Sequence, residues 1–410
     1  MERRARAAVA VLFLTNGALF ANIAPRFPEV KAALGMETTV YGLAVAAFPT
    51  GAVVAGPASA VLIRRFGSAP LAVVGTVVTG LGVLAAALAP ATVVFAAALF
   101  LAGAADAVTD VAQNAHALRV QRRYGRTIIN SFHAVWSIGA ALGGSMAAGA
   151  LALGLSRGTH LAATAVLFTL VAAVARRFCL PGRDDDGPDA RREVGPGDAR
   201  SSPPGRPRVL LVLAALSLIA IGGTVVEDAG SSWAALYLST DLHAGSALAA
   251  SGYVALVGAQ SVGRMAGDRL VDRFGQRAVA RTGGLVVAVG MGLALAVPTV
   301  PGAVLGFAAA GLGVATVVPA AMEGADRLPG LRAGTGLMVV SWLLRLGFLC
   351  SPPLVGLLAD TVGLRAGLLL VPAVGLLVAV LSGVLRPRRR PDAAAGAAAA
   401  PAVPLGDGRG

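Results

Sequence analysis

The sequence predicts an all-α membrane protein, with twelve transmembrane helices in two pseudo-symmetric six-helix bundles. Three observations carry that reading. Of the 410 residues, 56% are hydrophobic and 13% charged, where a soluble chain carries about 25% charged residues, and mean hydropathy is +0.75. Apolar runs long enough to cross a bilayer as helices, about 18 residues or more, recur along nearly the whole length. The chain also repeats itself. The segment Ala60 to Gly67 returns 208 positions later as Asp268 to Gly275, and the same offset lays Ala102-Gly103 on Ala310-Gly311, Arg119 on Arg327 and Gly139 on Gly347. Duplicated sets of apolar segments are a mark of transporters built from two related halves. Strict alternation is missing and the runs are too long for barrel strands, so a β-barrel is excluded.

In order, the apolar runs of the first half are 7–28, 39–62, 70–89, 93–118, 127–150 and 160–178. Those of the second half are 209–236, 246–268, 278–298, 302–325, 333–358 and 365–385. Residues 1–180 therefore form one bundle and 208–388 the other. Between them 181–207, rich in Pro, Gly, Ser and charge, reads as a mobile cytoplasmic linker that cannot bury a core. The Ala-, Pro- and Gly-rich stretch 389–410 reads as a disordered cytoplasmic tail. The start of the chain imitates a secretory signal, with a basic head before an apolar body, but eleven further runs follow and it reads as a retained first helix.

The formal charge of +13 does not point to nucleic acid, because it is concentrated in alternate loops. Arg3, Arg4 and Arg6 precede the first run, and Arg64 and Arg65 follow the second. Arg119, Arg122, Arg123 and Arg126 follow the fourth, Arg176 to Arg208 fill the middle, and Arg386, Arg388, Arg389 and Arg390 follow the last. The opposite loops hold only Arg26, Lys31, Arg157 and Arg365. By the positive-inside rule both termini are cytoplasmic, as an even number of spans requires. Pro49, Pro57, Pro319, Pro352 and Pro353 fall inside runs and should kink them. Gly139 and Gly143 on the fifth allow close helix approach.

An ionisable group at the bilayer centre costs about 2.5–3.5 kcal/mol on insertion scales, so each one demands a reason. Asp106, Asp110 and Asn114 are spaced to share one face of the fourth helix, which should look into a polar cavity or stripe a neighbouring helix. His133 on the fifth helix lies close enough to that face to form a proton-coupling pair with Asp110; the bland reading is a buried histidine that bonds a carbonyl. Arg345, the one basic residue read as sitting in the middle of a run, offers five donors suited to a carboxylate, phosphate or sugar hydroxyl on a substrate, or else is neutralised by Asp106, Glu227 or Asp228. Glu227 and Asp228 precede Trp233 and Tyr237 on the seventh helix, and Glu323 lies near the inner end of the tenth. Gln260 and Trp342 are further cavity candidates. Trp136 and Trp342 read first as packing or interface residues. Cys179 and Cys350 imply no disulfide, and His116, His133, His160 and His243 show no metal spacing. No phosphate-binding glycine loop occurs, so ATP does not drive the protein.

The paired loop motif, the twelve runs and the central linker resemble the major facilitator superfamily, whose signature after the second and eighth helices reads Gly-x-Leu-x-Asp-Arg-x-Gly-Arg-Arg. The second copy matches with Leu270, Asp272, Arg273, Gly275 and Arg277, and has Asp268 and Gln276 at its two departures. The first is degenerate: Gly67 and Arg65 match, but Ala60 replaces glycine and Arg64 stands where the acidic residue belongs. The resemblance makes that acidic residue a latch of the cytoplasmic side, a role that Arg64 does not match. The basic residue often found in the fourth helix is missing, and the antiporter signature of the fifth appears only as Gly139, Gly143 and Gly144, without its proline. Glu227-Asp228 with Trp233, and Asn130 to His133, resemble a bacterial subgroup of sugar-like and rhizopine-associated transporters, which implies the bacterial plasma membrane.

By that resemblance the first, fourth, seventh and tenth helices line the path, which makes Asn16, Asn22, Asp106, Asp110, Glu227 and Glu323 lining candidates. The function expected is secondary active transport of a small polar organic solute by alternating access, with protons as the coupling ion and the monomer as the working unit. Substrate contacts fall to Asn16, Asn22, Asp106, Glu227, Asp228, Glu323 and Arg345. The conformational loops use Arg64, Arg65, Gly67, Asp268, Asp272, Arg273 and Gly275. Drug or natural-product efflux by antiport, and a transporter-like receptor that moves nothing, are the alternatives. An enzyme is disfavoured because no nucleophile accompanies the acids. No cofactor or metal is expected.

Overall fold

The computed structural model describes residues 2–124, 128–181, 206–329, 331 and 335–385. Its secondary structure, among these residues, is helical throughout. The first half contains α1 (Glu2–Ala33), α2 (Thr38–Phe66), α3 (Ser68–Ala87), α4 (Thr92–Tyr124), α5 (Ser131–Ala152) and α6 (Arg157–Arg176). The second contains α7 (Pro207–Thr240), α8 (Ser246–Phe274), α9 (Gln276–Ala296), α10 (Val300–Asp326), α11 (Thr335–Val362) and α12 (Leu364–Val384). Eleven of these helices are long and apolar enough to cross a membrane. The exception, α8, is 29 residues long but interleaves Ser251, Tyr253, Gln260, Ser261 and Arg264 with its apolar positions. Of the expected linker, 182–205 lie outside the described residues, and the expected tail, 389–410, lies outside them entirely.

Lipid is the solvent this surface fits. Val93, Leu101, Leu153, Leu170, Leu293, Leu305 and Val380 are each at least 60% exposed. Spread over every side of the bundle, such side chains would form a very large apolar patch in water. Inside, small residues let helices touch backbone to backbone. A Cβ on Gly103 of α4 would strike the Phe48 carbonyl of α2, and one on Gly311 of α10 would strike the Leu256 carbonyl of α8. Both partners of this contact are displaced by the repeat offset, so the duplication is a duplication of packing. The loop motifs match as well. Gly67 and Gly275 end α2 and α8 with φ of 81° and 83°, a conformation that glycine adopts without strain. Arg65 and Arg273 lie 5.3 and 5.4 Å from the ring centroids of Phe66 and Phe274.

Proline sets where helices break. The α2 break at Ala46, the α10 break at Ala315–Thr316 and the α12 break at Leu368–Leu369 each lie about one turn before Pro49, Pro319 and Pro372, which cannot supply the N–H that an unbroken helix needs. Pro352 and Pro353 instead sit within the unbroken helix Arg345–Val362, and α11 divides earlier, at Leu344.

Among the described residues the halves meet along the middle of the bundle and at one of its ends. Along the middle, α5 packs on α8, with the Ser261 hydroxyl donating to the Ser137 carbonyl at 3.2 Å. At the end of the bundle opposite the chain termini, here the distal end, the first turn of α2 packs on the last turns of α11. There the Asp360 carboxylate accepts from the backbone N–H groups of Thr38 and Thr39 at 3.1 and 2.6 Å. It caps α2 from the other half and satisfies two of the donors that a helix start leaves open. Beside it the Tyr41 hydroxyl donates to the Ser232 carbonyl at 2.6 Å, and the Tyr41 and Trp233 rings meet edge to face at 5.0 Å.

Two outcomes follow from this packing. Gly103→Leu and Gly311→Leu should each lower stability by at least about 1–3 kcal/mol, because the added atoms meet backbone that cannot yield; thermal unfolding in detergent measures it. Asp360→Ala should leave unfolding temperature nearly unchanged yet raise the distal-open fraction roughly two- to fivefold, the effect of losing an exposed cap, as read by labelling of single cysteines placed beneath the Asp360 cap.

Candidate functional site

Between the halves lies a cavity of about 330 Å³. α1, α2, α4 and α5 line it from one side and α7, α8 and α11 from the other. The spacing of Asp106 and Asp110 turns both carboxylates of α4 inward. Asp106 Oδ1 accepts from Asn16 Nδ2 of α1 at 2.7 Å, and Asn16 Oδ1 accepts from Trp136 Nε1 of α5 at 2.8 Å. This run fixes which way the Asn16 amide faces. One turn along, Asp110 Oδ1 accepts from Asn114 Nδ2 at 3.0 Å.

The second half contributes the adjacent pair Glu227 and Asp228 on α7. Glu227 Oε2 accepts from Gln260 Nε2 of α8 at 2.8 Å and pairs with Arg264 Nη2 at 3.4 Å. Arg264 Nη1 also donates to Ser137 Oγ of α5 at 3.2 Å, so this guanidinium ties the cavity wall to the seam between the halves. Asp228 Oδ1 receives the Ser232 hydroxyl at 3.3 Å. Arg345 of α11 projects from the same half, with Asp110 as an electrostatic neighbour across the cavity and no ion pair among the described residues. Phe20, Phe48, Phe348, Trp136 and Tyr253 complete the wall with flat apolar faces. The arrangement suits a solute with several hydrogen-bonding groups and a compact apolar body.

Of the residues singled out from the sequence, Asn16, Asp106, Asp110, Glu227, Asp228, Arg345 and Gln260 line this one cavity. Others lie elsewhere. Asn22 faces α6, where its Oδ1 bonds His160 Nε2 at 2.9 Å, in a buried cluster in which Arg26 Nε donates to His160 Nδ1 at 3.0 Å. Two turns of α1 separate Asn22 from Asn16, and the helix rotates it away from the cavity. Glu323 accepts from Gln276 at 2.6 Å and pairs with Arg327 at 2.8 Å near the end of the bundle that carries the termini. His133 shares with Arg264, Asp268 and Glu323 a second cleft of about 360 Å³ on that side. It stacks edge-on against Phe13 at 5.3 Å and keeps Asp110 as an electrostatic neighbour without bonding it. Trp342 is 62% exposed on the outer surface. Asp272 and Arg273 are exposed at the end of α8, like Arg64 and Arg65 at the end of α2.

Sequence reasoning missed Arg264, which merged with the charges of the following loop motif; the signal was its position one helical turn after Gln260. It also read Trp136 as packing, whereas its ring nitrogen orients Asn16. Among the described residues no group of His, Cys, Asp or Glu is arranged to hold a metal ion.

Residues 9–322 and, overlapping them, 228–406 match the model of the Major Facilitator Superfamily. The chain belongs to that superfamily. It is 30% identical to a protein of Sinorhizobium fredii described as an uncharacterized transporter, y4wD, over 92% of this chain and 97% of that one. It is 28% identical to the membrane protein MosC of Rhizobium meliloti, over 92% and 88% of the two chains. Among solved structures its fold is similar to that of a D-xylose-proton symporter, with a TM-score of 0.68 at 15% identity over 92% of this chain and 95% of that one. A Major Facilitator Superfamily member is a multi-pass membrane transporter and not an enzyme.

Breaking the Glu227–Arg264 pair from one side should cost more than removing it whole. Arg264→Leu is expected to lower stability by about 1–2 kcal/mol, less than at a fully buried pair, and Glu227→Gln added to it should restore most of that. Thermal unfolding of the single and double variants in one detergent measures the difference.

Proposed function

We propose that this superfamily member carries a small polar organic solute through the central cavity by alternating access, with proton movement coupled to it. The observation that carries the reading is that four carboxylates and Arg345, which has no ion pair among the described residues, face one cavity between the two halves. Polar groups from two bodies that can rock against each other give a site whose exposure alternates while its ligands stay in place. The distal end is held shut by Asp360 and Tyr41, while the second cleft lies toward the termini. With the basic loops on the side of the termini, the charge asymmetry makes that side cytoplasmic in the bacterial plasma membrane.

Arg345 offers an unpaired fork of donors to the solute, and Asn16, Asp106, Glu227 and Asp228 accept from or donate to its hydroxyl or amino groups. The balance of acids over bases and the modest cavity favour a polyol- or sugar-like solute over a large apolar drug; the fold similarity to a symporter of xylose and protons agrees with this. Asp110, with His133 and Arg345 as its charged neighbours, is the group suited to carry the coupled proton, because its affinity for a proton changes as those neighbours move.

Counterflow in proteoliposomes against a panel of sugars, polyols and nucleosides, with and without a pH gradient, tests this. At least one polar solute should exchange. Arg345→Gln should weaken its apparent affinity by about tenfold or more, the loss of one charge-assisted contact, and Asp110→Asn should abolish the dependence of accumulation on the gradient. Exchange of none of the panel, or unchanged affinity in Arg345→Gln, contradicts the reading.

A further inference from the structure

The first turns of α1 border two clefts, one basic and one apolar, that share a wall. The basic cleft, about 380 Å³, is formed by Arg3, Arg6, Ala10 and Tyr124 at the end of α4. Arg6 Nη1 donates to the Tyr124 hydroxyl at 3.3 Å, and its guanidinium carbon lies 5.4 Å from the centroid of the same ring. The apolar cleft, about 560 Å³, runs between α1 and α6 along Ala8, Val11, Leu170, Val174 and Phe178, and Arg4 is its one charged lining residue. Ala7 lines both clefts.

Two stripes on one helix produce this arrangement. Arg3, Arg6, Ala7 and Ala10 recur at the spacing of a helical face, and so do Arg4, Ala7, Ala8 and Val11. The alanines stop at Cβ and leave depth, while Leu170 and Val174 stand 60% and 54% exposed along the facing wall. Along α6 the groove extends about 9 Å from Leu170 to the helix end at Arg176, at ~1.5 Å per residue, more than half the depth of one leaflet of a ~30 Å hydrocarbon core. Hydrocarbon fills such a groove at lower free energy than water. At its mouth the charge is positive. Arg3 and Arg4 have no ion pair among the described residues. Arg176 and Arg177 are exposed at the end of α6, and Glu2 at the start of α1 offsets one charge of the group.

We propose that the two clefts bind one anionic phospholipid from the leaflet on the side of the chain termini, with its phosphate among Arg3, Arg4 and Arg6 and an acyl chain in the groove between α1 and α6. A guanidinium fork matches phosphate oxygens in two-point contact. Arginine stems lie along apolar surface while their heads reach the headgroup layer. Basic pockets between membrane helices on the cytoplasmic side suit anionic headgroups, and a zwitterionic lipid brings an ammonium that the arginines repel. The bound lipid ties the start of α1 to the ends of α4 and α6. The site shares no lining residue with the central cavity, so it stands whatever solute is carried.

Native mass spectrometry of the full chain in detergent, with phosphatidylglycerol and phosphatidylcholine at equal concentration, tests the site. One phosphatidylglycerol should bind in preference to phosphatidylcholine by about fivefold or more, the effect of a few arginines at a headgroup. Arg3→Gln, Arg4→Gln and Arg6→Gln together should bring the two lipids to within about twofold. Arg4→Gln alone, should the triple variant fold poorly, should halve the preference or more. Val174→Trp, which fills the groove and leaves every charge in place, should lower the phosphatidylglycerol-bound population about threefold or more, through lost chain contact. Arg64→Gln with Arg65→Gln, an equally exposed basic pair at the end of α2, should leave the preference intact. Thermal unfolding should rise with added phosphatidylglycerol in the parent and not in the triple variant. Equal binding of both lipids by the parent, or the same loss from the α2 pair as from the α1 arginines, overturns the proposal. Displacement of the lipid by inorganic phosphate, with Val174→Trp without effect, also overturns it, because the site then takes a bare anion.

Discussion

Charge cannot be left facing acyl chains, and that constraint organises the molecule. With an intramembrane carboxylate costing about 2.5–3.5 kcal/mol even on the mildest scales, the acids of α4 and α7 have one place to go, the seam between two bundles. There they meet Asn16, Asn114, Gln260 and Arg264. The apolar side chains take the outer surface. The same rule that puts lysines outside and leucines inside in water is inverted here, and the cavity is its result.

The duplication supplies two related sets of helices, and several contacts between them fall where the copies differ. Packing is shared: Gly103 on the Phe48 carbonyl is repeated by Gly311 on the Leu256 carbonyl. Charge is shared only in part. Arg64 of the first loop motif aligns with Asp272 of the second, and Arg345 aligns with Ser137, which instead receives the Arg264 guanidinium from the other half. The distal latch is similarly one-sided, an acid of α11 capping the start of α2. Asymmetry of this kind lets one end of a symmetric bundle be held while the other is free.

Much of this was legible in the sequence. Apolar runs and their offset disclose the helices and the doubling, because lipid imposes length and polarity on every span. The spacing of Asp106 and Asp110 discloses the cavity face, because two carboxylates a turn apart exclude lipid from that side. What was not legible depends on helix rotation and on partners far along the chain. Asn22 is as polar as Asn16 and lies on the same helix, yet faces His160. Glu323 is taken by Gln276, forty-seven positions away. Asp360 looks like an ordinary acid at a helix end; its role appears only when α2, more than three hundred positions earlier, is set beside it. Arg264 was hidden by its neighbours in the loop motif.

Water access along the seam is the most direct test of the whole account. Single cysteines at Ala107, Ala140 and Ser231, which line the cavity, and at Leu101, Leu170 and Leu305, which face outward, can be exposed in membranes to a charged, water-soluble maleimide. The first three should react and the last three should not, until detergent unfolds the protein. Reaction of the outward set with sparing of the seam would contradict a doubled bundle closed around a wet cavity.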